Sequence, residues 1–160
     1  MAKKVKIKKT LVEQILTKAG IEHTGIQINA LEGELPPEYD RIQIFKTLAL
    51  LGDKTGPIIG IVPITEHLAE KKLAKVSGNK KVSMIPQKDL EKTTGYIHGA
   101  NNPVGIRQKH NYPIFIDQTA LDLDQMIVSA GEVGHSIIIR PQDLASFVKA
   151  DFADILEESK

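Results

Sequence analysis

The 160 residues include no cysteine and no tryptophan, and aromatic side chains make up only 4%. Without cysteine there is no disulfide, no thiolate ligand for a metal and no protein thiol to act as a nucleophile. Sparse aromatics argue against a single-strand nucleic-acid binder built on base-stacking platforms. No apolar run approaches the roughly 18 residues that a membrane span requires, so no membrane association is expected. Lysines at the start with no apolar segment after them predict no signal peptide, and the cytoplasm is the expected compartment. The five histidines, at 23, 67, 98, 110 and 135, have no HExxH spacing, so neither a metal nor another cofactor is expected.

Neither sign of charge dominates, with 21 Lys and Arg against 20 Asp and Glu. The distribution is less even. Lysines crowd positions 3–9 and recur at 71, 72, 75, 80, 81, 88 and 92, while Asp151, Asp154, Glu157 and Glu158 make the end acidic. Such clusters either solvate a helix face or follow a phosphate backbone. With 41% hydrophobic residues, a chain of this length is expected to form one domain over 1–160, of which 1–9 are a flexible basic N-terminus.

Thr10 followed by Glu13 fits a capping box, and Leu11, Ile15 and Ala19 share a face, predicting a helix over 10–19 that Gly20 stops. Strands are predicted at 21–28, at Ile42–Leu51 and at Pro57–Pro63, the last two as a hairpin across the 52–56 turn. Residues 29–40 read as loop. Helices follow from Thr65 to about Val76 and from Gln87 to Thr93, then a glycine-rich loop from Gly95 to Gly105. Short strands at Ile114–Ile116, Met126–Val128 and Ser136–Ile139 precede a last helix that starts at Pro141. The fold class implied is α+β: a mixed, largely antiparallel sheet curled into a barrel-like core with flanking helices.

Three places stand out chemically. Lys46 lies inside an otherwise apolar strand and shares a face with Ile44 and Leu48. Such a lysine either snorkels to the rim or projects into a cavity, where it can hold an anionic or carbonyl group. The Gly95–Gly105 stretch can bring backbone N–H groups close to a ligand, or can be a plain turn. It lacks the spacing of a Walker A loop or a dinucleotide-binding loop. The small-residue turn Ser129–Ser136 joins two apolar strands and has no GxSxG frame, so no serine-hydrolase triad is indicated.

Taken together these segments resemble the YbaK/EbsC family, relatives of the editing domain inserted in bacterial prolyl-tRNA synthetases. The residues carrying the resemblance are Phe45-Lys46-Thr47-Leu48, Lys80-Lys81-Val82 leading to Thr94-Gly95-Tyr96, and Gly99-x-x-x-Pro103-x-Gly105. Ser129-Ala130-Gly131-x-x-Gly134 and Pro141-Gln142-Asp143-Leu144 complete the set, and the likeness runs over about 10–156. It departs at Glu22–Ile26, where the family has an aromatic and Asp-Pro pattern, and at Glu132-Val133, where it has a basic pair. The resemblance implies a trans-editing deacylase for mischarged tRNA, above all cysteine on proline tRNA, working beside prolyl-tRNA synthetase. It implies Lys46 as the essential pocket residue, with Thr47, Gly99, Pro103, Ser129, Gly131 and Ser136 binding the substrate. A non-catalytic tRNA- or synthetase-binding module or regulator on the same fold, and a water-using deacylase of alanyl-tRNA(Pro), are the alternatives.

Overall fold

The computed structural model describes residues 9–28 and 37–158. The basic stretch up to residue 8 and the 29–36 part of the expected loop lie outside them. The first helix, α1 (Leu11–Lys18), starts where the Thr10 hydroxyl accepts a hydrogen bond from the Glu13 N–H at 3.2 Å. It buries Val12 and Leu16 completely, and Gly20 ends the segment at φ +75°. Strands β1 (His23–Ile26), β2 (Phe45–Gly52), β3 (Gly56–Pro63) and β4 (Val82–Met84) are followed by β5 (Ile114–Asp117). Then come β6 (Met126–Ser129), β7 (Ser136–Ile139) and β8 (Asp151–Ala153). Helices α2 (Glu70–Ser77), α3 (Gln87–Thr94), α4 (Pro103–Lys109) and α5 (Pro141–Val148) fill the intervals.

The strands make two sheets, one of five in the order β4-β2-β3-β5-β8 and one of three in the order β1-β7-β6. The pairs β3–β5 and β5–β8 are parallel and the others antiparallel, so α+β with mixed sheets is the observed class. A single sheet curled into a barrel is not what the described residues form. Among the described residues the strands fall into these two sheets, and a parallel bridge between Ile44 and Ile127, on the β6 edge, joins them.

Strand β3 is buried on both faces, which explains why Ile58, Ile59, Ile61 and Val62 are all β-branched, with only Gly60 between them. Ile59 and Ile61 face the main core with Val12, Leu16, Val128 and Ile137, while Ile58 and Val62 face a second cluster with Leu73 and Ile155. Among the described residues no helix is long and apolar enough to cross a membrane.

Several boundaries differ from the sequence expectation. Arg41–Gln43 is a 3-10 turn capped by Asp40, so β2 begins at Phe45 rather than Ile42. Helix α2 begins at Glu70 rather than at Thr65, because Leu68 bridges to Leu156 and the Ala69 N–H donates to the Ile155 carbonyl. The supposed loop 95–105 ends at Asn102, which caps α4 by accepting from the Gly105 N–H at 2.6 Å.

Buried Asp117 ties two of these segments together. Its carboxylate accepts from the Ile155 N–H at 3.0 Å and from both the N–H and the hydroxyl of Thr119, at 3.0 and 2.7 Å. Asp117→Ala orphans the N–H of fully buried Ile155 and is expected to destabilise the fold by about 1–3 kcal/mol. A lowered midpoint in urea unfolding checks this.

Candidate active-site cavity

Lys46 sits on β2 opposite Val62 of β3. On the other side of β2, β4 pairs only with Leu50–Gly52. The β2 edge from Phe45 to Leu48 therefore has no strand partner on that side among the described residues, the Ile85 N–H still donating to the Ala49 carbonyl, and a cavity of about 280 Å³ opens against it. This explains why both alternating faces of the strand reach the cavity: Phe45, Thr47 and Ala49 line it, and so do Lys46 and Leu48. Lys46 is half-buried, and among the described residues no carboxylate pairs with it. An ammonium in this position has three donors to offer an incoming oxygen.

The two small-residue turns form the opposite walls. Gly99 lies in the turn between α3 and α4 at φ +90°, a conformation that favours glycine, and it lines the cavity with His98 and Asn101. Ser129 and Ser136 face each other across the β6–β7 hairpin and also line it, beside Gly134 and His135. The Ser129 hydroxyl accepts from the Gly131 N–H at 3.1 Å, which tightens that turn. Thus Lys46, Thr47, Gly99, Ser129 and Ser136, all expected at the site, stand around one space.

Pro103 and Gly131 do not. Pro103 is the buried first residue of α4, where a missing N–H costs nothing. Gly131, at φ +93°, has its α-carbon against Val12, Asn102 and Tyr96, behind the wall rather than in it. Both shape the loops that carry the lining residues.

The sequence reading did not single out Asn101, His98, Gln87 or His135. The Asn101 amide oxygen and the Thr47 hydroxyl are buried with no hydrogen-bond partner among the described residues, and both residues line this cavity. Buried polar atoms are nearly always satisfied, so two orphans around one space mark it as a place for a polar guest. No sequence signal separates a loop asparagine of this kind from a solvated one. Among the described residues no group of three or more His, Asp or Glu side chains could hold a metal ion.

A side chain at Gly99 would both strain the left-handed turn and narrow the cavity. Gly99→Ala is expected to cost about 1–2 kcal/mol of stability and to lower turnover more than the loss of fold explains. Comparing activity per folded molecule with the unfolding midpoint separates the two.

Frame and cavity together define a small α+β domain with a cavity of about 280 Å³ beside the amine of Lys46. Residues 37–147 match the model of the aminoacyl-tRNA editing domain, and the chain belongs to that family of aminoacyl-tRNA deacylases. It is 44% identical over 113 residues, 71% of this chain and 68% of the relative, to EbsC of Enterococcus faecalis (strain ATCC 700802 / V583). That protein is named as a candidate Cys-tRNA(Pro)/Cys-tRNA(Cys) deacylase. The fold is shared with a solved structure described as a candidate trans-editing enzyme for prolyl tRNA synthetase. The TM-score is 0.76 at 22% identity, over 92% of this chain and 95% of the other. Hypothetical protein APE2540 shares it as well, with a TM-score of 0.81 at 20% identity over 91% and 99% of the two chains.

Proposed function

We propose that this chain removes cysteine from mischarged tRNA(Pro), acting in trans beside prolyl-tRNA synthetase. The observation that carries the reading is the convergence of Lys46, Gly99, Ser129 and Ser136 on one cavity of about 280 Å³. That volume falls below the range of about 300–1,000 Å³ typical of drug-sized ligands, and suits a small aminoacyl group. The name of the E. faecalis relative supports cysteine as that group.

The chain has no cysteine, and among the described residues neither lining serine hydroxyl is hydrogen-bonded to a histidine, so no covalent enzyme intermediate is invoked. The substrate's own thiol attacks its ester carbonyl. A carbon–sulfur bond forms, the carbon–oxygen bond to the terminal ribose breaks, and the thiol proton passes to the departing ribose oxygen. The products are uncharged tRNA and a cyclic thioester of cysteine, which water then opens to the free amino acid. Lys46 donates to the ester oxygens as charge develops, while the Gly99 and Ser129 turns hold the aminoacyl group in its reactive geometry. Well-oriented intramolecular attack gains on the order of 7–11 kcal/mol, so positioning alone supplies much of the rate.

The test is ester loss from tRNA(Pro) charged with cysteine, with and without prolyl-tRNA synthetase. The expected result is rapid release of cysteine, faster when the synthetase is present. Binding of the charged tRNA without any ester loss overturns the reading.

A further inference from the structure

Asn101 is set apart from the other residues around the cavity. It is 8% exposed, it lines the space, and its amide oxygen is buried without a hydrogen-bond partner among the described residues. Its amide nitrogen donates to the Ile97 carbonyl at 3.5 Å. The reverse orientation would set two carbonyl oxygens against each other, so the oxygen is the atom left over. A bond that long also lets the amide tilt toward an entering donor at little cost. Thr47 repeats the pattern from β2: its hydroxyl is buried and unpartnered among the described residues, and it lines the same space.

We infer that Asn101 is a specificity residue that accepts a hydrogen bond from the α-amino group of the aminoacyl ester, with the Thr47 hydroxyl as a second acceptor, a claim that rests on the deacylase reading. An amide oxygen can only accept. The ester carbonyl and the departing ribose oxygen are acceptors themselves, and the Lys46 ammonium serves them. On the acyl side of the ester the donors of a cysteinyl group are its thiol and its α-amino group. The S–H is a weak donor. The amine carries at least two N–H donors, and when charged it makes hydrogen bonds about twice as strong as neutral ones. None of the described residues that line the cavity is Asp or Glu, so the amine meets neutral oxygens there. That suits a site built around Lys46. A carboxylate beside it would pair with the ammonium and draw it from the ester, whereas an amide oxygen holds the amine and leaves the charge free. An acyl group without the amine leaves both buried oxygens unpaired in the complex. Sites of that kind reject an analogue lacking one polar group far more strongly than sites that select by size.

The test uses tRNA(Pro) charged with 3-mercaptopropionate, which keeps the thiol and the ester of the cysteinyl form and lacks only the amine. The wild-type protein is expected to prefer the cysteinyl ester. Asn101→Leu fills the same space without an acceptor and is expected to shrink that preference in kcat/KM about ten- to a hundredfold. It does so by slowing the cysteinyl ester while leaving the mercaptopropionyl ester nearly unchanged per folded molecule. Asn101→Ala is expected to behave alike. A residue that merely holds its turn slows both esters equally, so an unchanged preference in either folded variant overturns the inference. The same comparison made on binding, with each acyl group joined to the tRNA 3′ end by an amide in place of the ester, separates it from the deacylase reading. If the cysteinyl amide binds more tightly by a margin that Asn101→Leu removes, while no ester is cleaved, the role of Asn101 stands and the reaction falls. If esters are cleaved and neither margin responds to Asn101, the reverse holds.

Discussion

Lys46→Ala is expected to lower deacylation of cysteinyl-tRNA(Pro) by about two to three orders of magnitude. Removing one electrostatic donor to a developing oxyanion typically costs roughly 2.7–4 kcal/mol of transition-state stabilisation. The fold should hardly notice. Lys46 is half-buried and pairs with no carboxylate among the described residues, so its removal strands no partner charge. Lys46→Met keeps most of the apolar stem and loses only the ammonium. Equal losses for Met and Ala, with unfolding midpoints near that of the wild type, assign the effect to charge. Wild-type rates in either variant remove Lys46 from the reaction.

Taking the thiol away from the substrate is expected to have an effect at least as large. Alanyl-tRNA(Pro) fits the same cavity but has no internal nucleophile, so its cleavage should be slower than that of the cysteinyl ester by about a thousandfold or more. This threshold separates two kinds of selectivity. A pocket that merely prefers one small side chain over another achieves about 10–200-fold, because a single methyl or thiol changes binding so little. A ratio beyond that range requires the thiol to take part in bond making. Seryl-tRNA(Pro), whose hydroxyl is the weaker nucleophile, should fall between them. Alanyl and cysteinyl esters cleaved at similar rates would instead point to an activated water, with the cavity acting only as a sieve.

Local signals in the chain located most of the elements. Thr10 and Gly20 bracketed α1, Pro86 and Gly95 bracketed α3, and Pro141 opened α5, because caps and φ preferences act within a turn of the residue that carries them. The errors came where distant partners decided. Strands β4 and β8 are three residues each, too short for periodicity to register, and exist because β2 and β5 offer them edges. Helix α4 was hidden inside a stretch rich in glycine. The helix starts at the Asn102 cap and Pro103, and residue 105 within it is glycine because the Tyr96 phenol occupies the space a side chain would need. The curled single sheet was a further miss, since which strands share a sheet depends on pairings between residues as far apart as Ile44 and Ile127.

The chain on its own determined that Lys46 was out of place. A charge in a β-branched run is visible without coordinates, because burying it unpaired is costly and the pattern makes its face plain. It also marked both glycine-bearing turns, since a positive φ leaves its trace in residue type. Only the tertiary structure decided that these three distant segments enclose one space, that Pro103 and Gly131 stand behind its wall, and that Asn101 belongs in it. The physical reason is that a cavity is a property of packing. It opens here because the chain that continues β4 leaves β2 after the Ile85 N–H bonds the Ala49 carbonyl, a matter of where two strands part company rather than of what either is made of.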